Sequence, residues 1–132
     1  MKFQYILFLF KSLNLIPFYF KENKLTVKNI KNFLSGTYRL YHFEAQPAYI
    51  KEQIWYRLSV MNPACIEKKA CIMCGCEFLG LSMIEDACKG NCYPKIMTLN
   101  IWDMFKSTYS ENLSTRFKTG QKIIKENINF IP

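Results

Sequence analysis

The sequence predicts a mainly α fold, in which a helical hairpin precedes a small zinc-knuckle Cys module. Two observations carry this prediction. Apolar residues recur at helical spacing over residues 26–62, and all six cysteines lie between Cys65 and Cys92. The 132 residues suffice for one domain with a modest core. We divide the chain into four segments: 1–25, 26–62, 63–94 and 95–132.

The first segment, residues 1–25, is apolar and aromatic without a clear period. Its two apolar runs are interrupted by Lys11 and Pro17, so neither reaches the roughly 20 apolar residues of a transmembrane helix. No small-residue cleavage site follows, and we expect no transmembrane span and no secretion through a signal peptide. The segment needs cover from the domain's own core, from another protein or from a membrane surface.

Residues 26–62 predict two helices that pair as an antiparallel hairpin. Thr26 can cap the first helix, and Pro47 suits the first turn of the second, which ends at Asn62 and Pro63. The apolar residues at helical spacing are Val27, Ile30, Phe33, Leu34 and Leu40 in the first helix, and Ile50, Ile54, Leu58 and Met61 in the second.

The six cysteines of residues 63–94 follow the pattern C-x5-C-x2-C-x-C-x11-C-x3-C. Two short cysteine pairs, each with a nearby glycine, are typical of a tetrahedral four-thiolate zinc site. The glycines allow tight bends in which backbone N–H groups point at the sulfurs. The favoured ligands are Cys71, Cys74, Cys88 and Cys92. Cys65 and Cys76 are possible substitutes.

Three other states of the cysteines stay open: disulfides, an iron–sulfur cluster and unliganded thiols. Disulfides need an oxidising compartment, which the missing signal peptide disfavours. The spacing from Cys65 to Cys74 misses a plant-type iron–sulfur pattern by one residue. Thiolates alone can fill four zinc positions, and His42 is the only histidine, so we expect structural Zn²⁺, no catalytic residue and no enzyme activity.

Residues 95–132 predict a short helix and then an irregular C-terminal tail. Asn100 can cap the helix, which extends to Phe105. From Ser107 onward the chain is polar and only weakly periodic, which is typical of an extended segment.

Positive charge is concentrated in the first half of the chain. The net charge of +8 divides into nine Lys+Arg minus three Glu, or +6, over residues 1–62, and nine minus seven, or +2, over residues 63–132. The candidates for nucleic-acid binding are Lys24, Lys28, Lys31 and Arg39. A solvated helix face explains the same residues more simply. The cysteine module itself is slightly acidic and is poorly suited to binding phosphate.

Three motifs lie within residues 28–106: EQIWYR at 52–57, CIMCGC at 71–76 and CKGNCYP at 88–94. Together they resemble a family of small Cys-rich proteins encoded by tailed phages of Bacteroidetes-type hosts, including crAss-like phages. The resemblance implies a virion structural protein with zinc-binding thiols at Cys71, Cys74, Cys88 and Cys92 and with no catalytic residue.

We therefore expect a small zinc-stabilised structural protein that docks, as a phage virion or assembly component, onto other proteins of a larger complex. Its 11 Phe, 8 Tyr and 2 Trp suit a buried protein–protein interface. The expected location is the host-cell cytoplasm or the virion. Two alternatives are a basic nucleic-acid-binding regulator and an iron–sulfur or thiol redox protein.

Overall fold

Six α-helices lie between residues 27 and 127 of the computed structural model, which describes Gln4, Ile6, Leu7 and residues 27–73, 78–88, 90–109 and 112–127. They are α1 (Val27–Tyr41), α2 (Ala48–Val60), α3 (Pro63–Lys68), α4 (Phe78–Met83), α5 (Leu99–Thr108) and α6 (Leu113–Asn127). A 3-10 turn, Phe43–Ala45, links α1 to α2. Over these residues there is no strand, and the predicted mainly α class is confirmed.

Helix α2 lies at the centre of the fold and contacts α4, α5 and α6. Its apolar face, with Ile54 and Leu58 fully buried, lies in the main hydrophobic core. The residues that helical spacing assigned to the apolar face of this helix are therefore core residues. The same helix also buries two polar side chains: Gln53 bonds the backbone of Met97, and Arg57 bonds carbonyls next to the cysteine turn.

The two predicted hairpin helices pack chiefly against other partners. Helix α1 packs on α4, and α2 makes its most extensive contact with α6. A Cβ atom on Gly36 would lie 2.7 Å from the carbonyl oxygen of Gly80, so only glycine permits this approach of α1 to α4. The helical hairpin is thus not the main packing unit of the fold.

The boundary at Asn62 and Pro63 both ends one helix and begins another. Helix α2 ends at Val60, as the prediction placed it within a few residues. Pro63 then starts α3, because proline suits a first helical position where no N–H partner is needed. The Asn62 side chain accepts a hydrogen bond from the Ala64 N–H at 2.9 Å and so caps this helix.

The prediction of an irregular C-terminal tail is wrong over residues 113–127. These residues form α6, whose Phe117, Gly120, Ile123, Ile124 and Asn127 recur every three or four positions. Ile123 and Ile124 pack on the core, and the Phe117 ring lies 6.2 Å from that of Trp55. A helix that packs against one neighbour needs only a narrow apolar stripe, because the packing of that stripe supplies most of its stability. The preceding helix, α5, begins at Leu99 after Thr98 rather than at the predicted cap, Asn100.

Most of the apolar segment 1–25 lies outside the described residues. Gln4, Ile6 and Leu7 are helical and exposed. Of the helices that the structure describes, none is long and apolar enough to cross a membrane.

Candidate metal centre

Four cysteines line one cavity of about 100 Å³ at the junction of α3 with the loops that follow it. They are Cys65, Cys71, Cys88 and Cys92. The first three are buried and the fourth is half-buried. The remaining wall of the cavity comes from Asn62, Ile72, Met73 and Gly90. Residues far apart in sequence are therefore brought to a single small space.

Local backbone geometry brings Cys65 and Cys71 to the same side of the cavity. Cys65 lies in the short helix α3, which ends at Lys69 in the left-handed conformation, with φ of 61°. The N–H of Lys69 donates to the Ile66 carbonyl at 3.2 Å, and that of Ala70 donates to the Cys65 carbonyl at 3.1 Å. This helix end reverses the chain, so that Cys71 returns beside Cys65.

Cys88 and Cys92 are the two ends of a tight turn. The Asn91 N–H donates to the Cys88 carbonyl at 3.0 Å, and the Cys88 N–H donates to the Tyr93 carbonyl at 3.1 Å. Asn91 has a φ of 59°, a left-handed conformation that asparagine tolerates better than most residues. The turn presents both sulfurs to the cavity.

Three of the four cysteines have a backbone N–H that donates to the sulfur. The Cys65 sulfur accepts from Ile72 at 3.4 Å, that of Cys71 from Met73 at 3.4 Å and that of Cys88 from Gly90 at 3.3 Å. Such donors stabilise negative charge on a sulfur that binds a metal. The N–H donors that the tight bends were expected to supply are therefore present at these three positions.

The cysteines also interact with one another: Cys71 affects the pKa of Cys65, and Cys88 affects that of Cys92. Burial raises the pKa of Cys65 and of Cys92, and the neighbouring cysteines raise it further, while the backbone N–H donors lower it. Without a cation, Cys65 and Cys92 are thus held in the protonated form. A bound metal ion reverses this balance, because its charge deprotonates a coordinating thiol outright.

Over the residues that the structure describes, no three Cys, His, Asp or Glu side chains are arranged so that they could hold a metal ion. The four cysteines share one cavity without forming such a group. The donor set nevertheless has the number and the softness that zinc prefers in structural sites.

Three of the four ligands favoured by the sequence line the cavity: Cys71, Cys88 and Cys92. Cys65, which the spacing ranked only as a substitute, lines the cavity with them. Cys74 and Cys76 lie outside the described residues. A five-residue gap is too long for a simple turn, but α3 and the reversal at Lys69 shorten it in space. The proline and asparagine ahead of Cys65 were the available signal for that helix.

Of the four predicted nucleic-acid ligands, the structure describes the side chains of Lys31 and Arg39. Lys31 is exposed, whereas Arg39 is half-buried and donates from Nη1 to the Met83 carbonyl at 2.7 Å. That bond helps to hold α1 against α4. Lys24 and the side chain of Lys28 lie outside the described residues.

Helix α1 carries a second apolar surface, separate from the face that meets α4. Its members are exposed and recur at helical spacing: Val27 (84%), Ile30 (41%), Leu34 (46%) and Tyr38 (52%). With Lys31 and Ser35 they line a shallow depression. We call these four side chains the α1 apolar stripe.

Comparison with known proteins leaves the cysteine cavity and the α1 apolar stripe as the features on which a function can be based. The chain matches no protein-family model, no curated protein and no solved structure. None of these three comparisons therefore supports the resemblance of its motifs to the phage family.

Proposed function

We propose that this chain is a small zinc-stabilised structural protein that docks into a larger assembly and has no catalytic role of its own. The observation that supports this function best is the set of four thiols around one cavity, three of them with a backbone N–H donor. The proposed ligands are Cys65, Cys71, Cys88 and Cys92. Metal binding would displace the thiol protons and draw the two cysteine pairs together.

The proposed zinc is structural rather than catalytic. Four thiolates fill a tetrahedral site and leave no position open to water or substrate. The cavity is lined largely by residues of connections, and α3, which supplies Cys65, has only six residues, as has α4. Helices of this length are not stable by themselves, so a metal cross-link would supply stability that a small apolar core does not.

Metal analysis of full-length protein, purified without added metal, tests this proposal. We expect one equivalent of zinc per chain and a loss of helical circular dichroism when a strong chelator removes it, since metal binding is coupled to folding. Colourless protein distinguishes zinc from an iron–sulfur cluster. Protein with six reactive thiols, no metal and an unchanged fold would refute the zinc proposal.

The α1 apolar stripe supports the docking half of the proposal. Four neighbouring exposed apolar side chains form a patch of the kind that marks interaction sites on soluble proteins. Few charges interrupt it, so the surface that fits it is the apolar face of another protein. The motif resemblance makes a phage particle the assembly that we propose.

Substitutions on the two faces of α1 should differ sharply in their effect on stability. Leu34→Ser removes an exposed side chain and should change the free energy of unfolding by about 0.5 kcal/mol or less. Leu40→Ser, on the same helix but only 4% exposed, should cost about 3 kcal/mol. Urea unfolding measures both values, and binding of an apolar dye should fall in Leu34→Ser alone. Equal destabilisation by the two changes would place the stripe in the chain's own core.

A further inference from the structure

A buried arginine lies beside the cysteine turn and bonds the chain on both sides of it. Arg57 of α2 is 2% exposed. Its hydrogen bonds within the described residues all go to backbone carbonyls: Nη1 donates to Ser82 (3.2 Å) and Ile84 (2.7 Å), and Nη2 donates to Glu85 (3.3 Å), Asp86 (3.3 Å) and Pro94 (2.8 Å). The guanidinium carbon also lies 4.4 Å from the centre of the Tyr93 ring.

These bonds join the two arms of the Cys88 to Cys92 turn. Residues 82–86 lead into the turn, and residues 93–94 lead out of it. One planar guanidinium, with its donors in a rigid fork, holds both arms at once. The Ile96 N–H adds a further link between them by donating to the Glu85 carbonyl at 3.0 Å. The positions of Cys88 and Cys92 therefore depend on a side chain of the central helix.

The charge of Arg57 is also matched to the proposed site. Burial lowers its pKa to about 10, while Tyr93, Cys88 and Asp86 favour the charged form, so the side chain is still a cation at neutral pH. A buried cation surrounded mainly by carbonyl dipoles is costly. Four thiolates around Zn²⁺ carry two net negative charges, and Cys88 lies near enough for its charge to interact with that of Arg57.

We propose that Arg57 is a positioning residue for the thiolate metal site: it holds Cys88 and Cys92 in place for coordination and offsets the negative charge of the loaded site. This inference rests on the zinc site proposed above. Arg57 is the last residue of the EQIWYR motif of α2. The motif thereby gains a role in metal binding that helical periodicity by itself does not indicate.

Gln53, one helical turn before Arg57, provides a matched control. It is also buried, at 3%, and also bonds a distant backbone: its Oε1 accepts from the Met97 N–H at 2.6 Å and its Nε2 donates to the Met97 carbonyl at 3.0 Å. Met97 lies beyond the cysteine turn and does not line the cavity. Gln53→Met should therefore destabilise the fold without altering the metal site.

The experiment compares zinc affinity in four full-length proteins: the natural chain, Arg57→Met, Arg57→Lys and Gln53→Met. Competition with a chromophoric chelator should show Arg57→Met weakened about 10- to 100-fold, the range for residues that orient metal ligands. Arg57→Lys, which keeps the charge but not the fork, should fall between Arg57→Met and the natural chain. Gln53→Met should bind zinc as the natural chain does. Cobalt substitution should shift the visible ligand-field bands in the two Arg57 variants only.

The outcomes separate the two proposals. If the natural chain binds neither zinc nor cobalt, the metal site and the role of Arg57 both fail. If the natural chain binds zinc and the Arg57 variants bind it equally well with unchanged cobalt bands, only the role of Arg57 is refuted. Should Arg57→Met not fold, Arg57→Lys decides in the same way: weaker binding with shifted bands supports the proposal, and unchanged binding overturns it.

Discussion

Cys65→Ser should abolish stoichiometric zinc binding, whereas Cys74→Ser should leave it intact. Cys65 lines the cavity with Cys71, Cys88 and Cys92, and its loss leaves three thiolates and one position open to water. Structural zinc sites contribute on the order of 10 kcal/mol to folding, so losing one of the four thiolates should also remove most of the metal-dependent stability. The measurements are the zinc-to-protein ratio after gel filtration and thermal unfolding with and without chelator.

Cys76→Ser is a second control, and it should behave as Cys74→Ser does. Cys71→Ser should match Cys65→Ser, since both residues line the cavity. The opposite pattern, with zinc lost in Cys74→Ser and kept in Cys65→Ser, would show that the ligand set favoured by the spacing is right. It would also show that the cavity lining is a poor guide to the ligands.

Gly120→Ala should destabilise the protein by about 3 kcal/mol, at the upper end of the usual cost of overpacking. A Cβ atom at this position would lie within 2.6 Å of the carbonyl carbon of Trp55, which is helix backbone and has little freedom to move. Helix propensity by itself predicts the reverse, a gain of about 1 kcal/mol when alanine replaces glycine inside a helix. The sign of the effect therefore tests whether α2 and α6 cross as closely as described.

Equilibrium urea unfolding of Gly120→Ala and of Gln121→Ala measures this effect. Gln121 is exposed on the same helix, and its replacement should change the free energy of unfolding by less than about 0.5 kcal/mol. A stabilised Gly120→Ala would mean that the contact between α2 and α6 is looser than the structure has it.

The first two helices were predictable because their signals are local. The apolar spacing of α1 and α2, the proline before α2 and the break at Asn62 all act within a few residues of the boundary that they define. The starts of α1 and α2 and the end of α2 agree with those expectations to within one or two residues. Helix α6 was not predicted because its apolar stripe is narrow. The stripe indicates a helix only when it is known that α2 packs against it.

Sequence alone determined that the chain is mainly helical and that its thiols are concentrated in one region, since helical periodicity and cysteine spacing are properties of consecutive residues. Tertiary structure decided which helices pack together, because Gly36 and Gly120 each permit close contact with backbone that is distant in sequence. It also brought Cys65 to the cavity and Arg57 to the two arms of the cysteine turn. Those positions depend on chain reversals and on carbonyls up to 37 residues away, which no local pattern encodes.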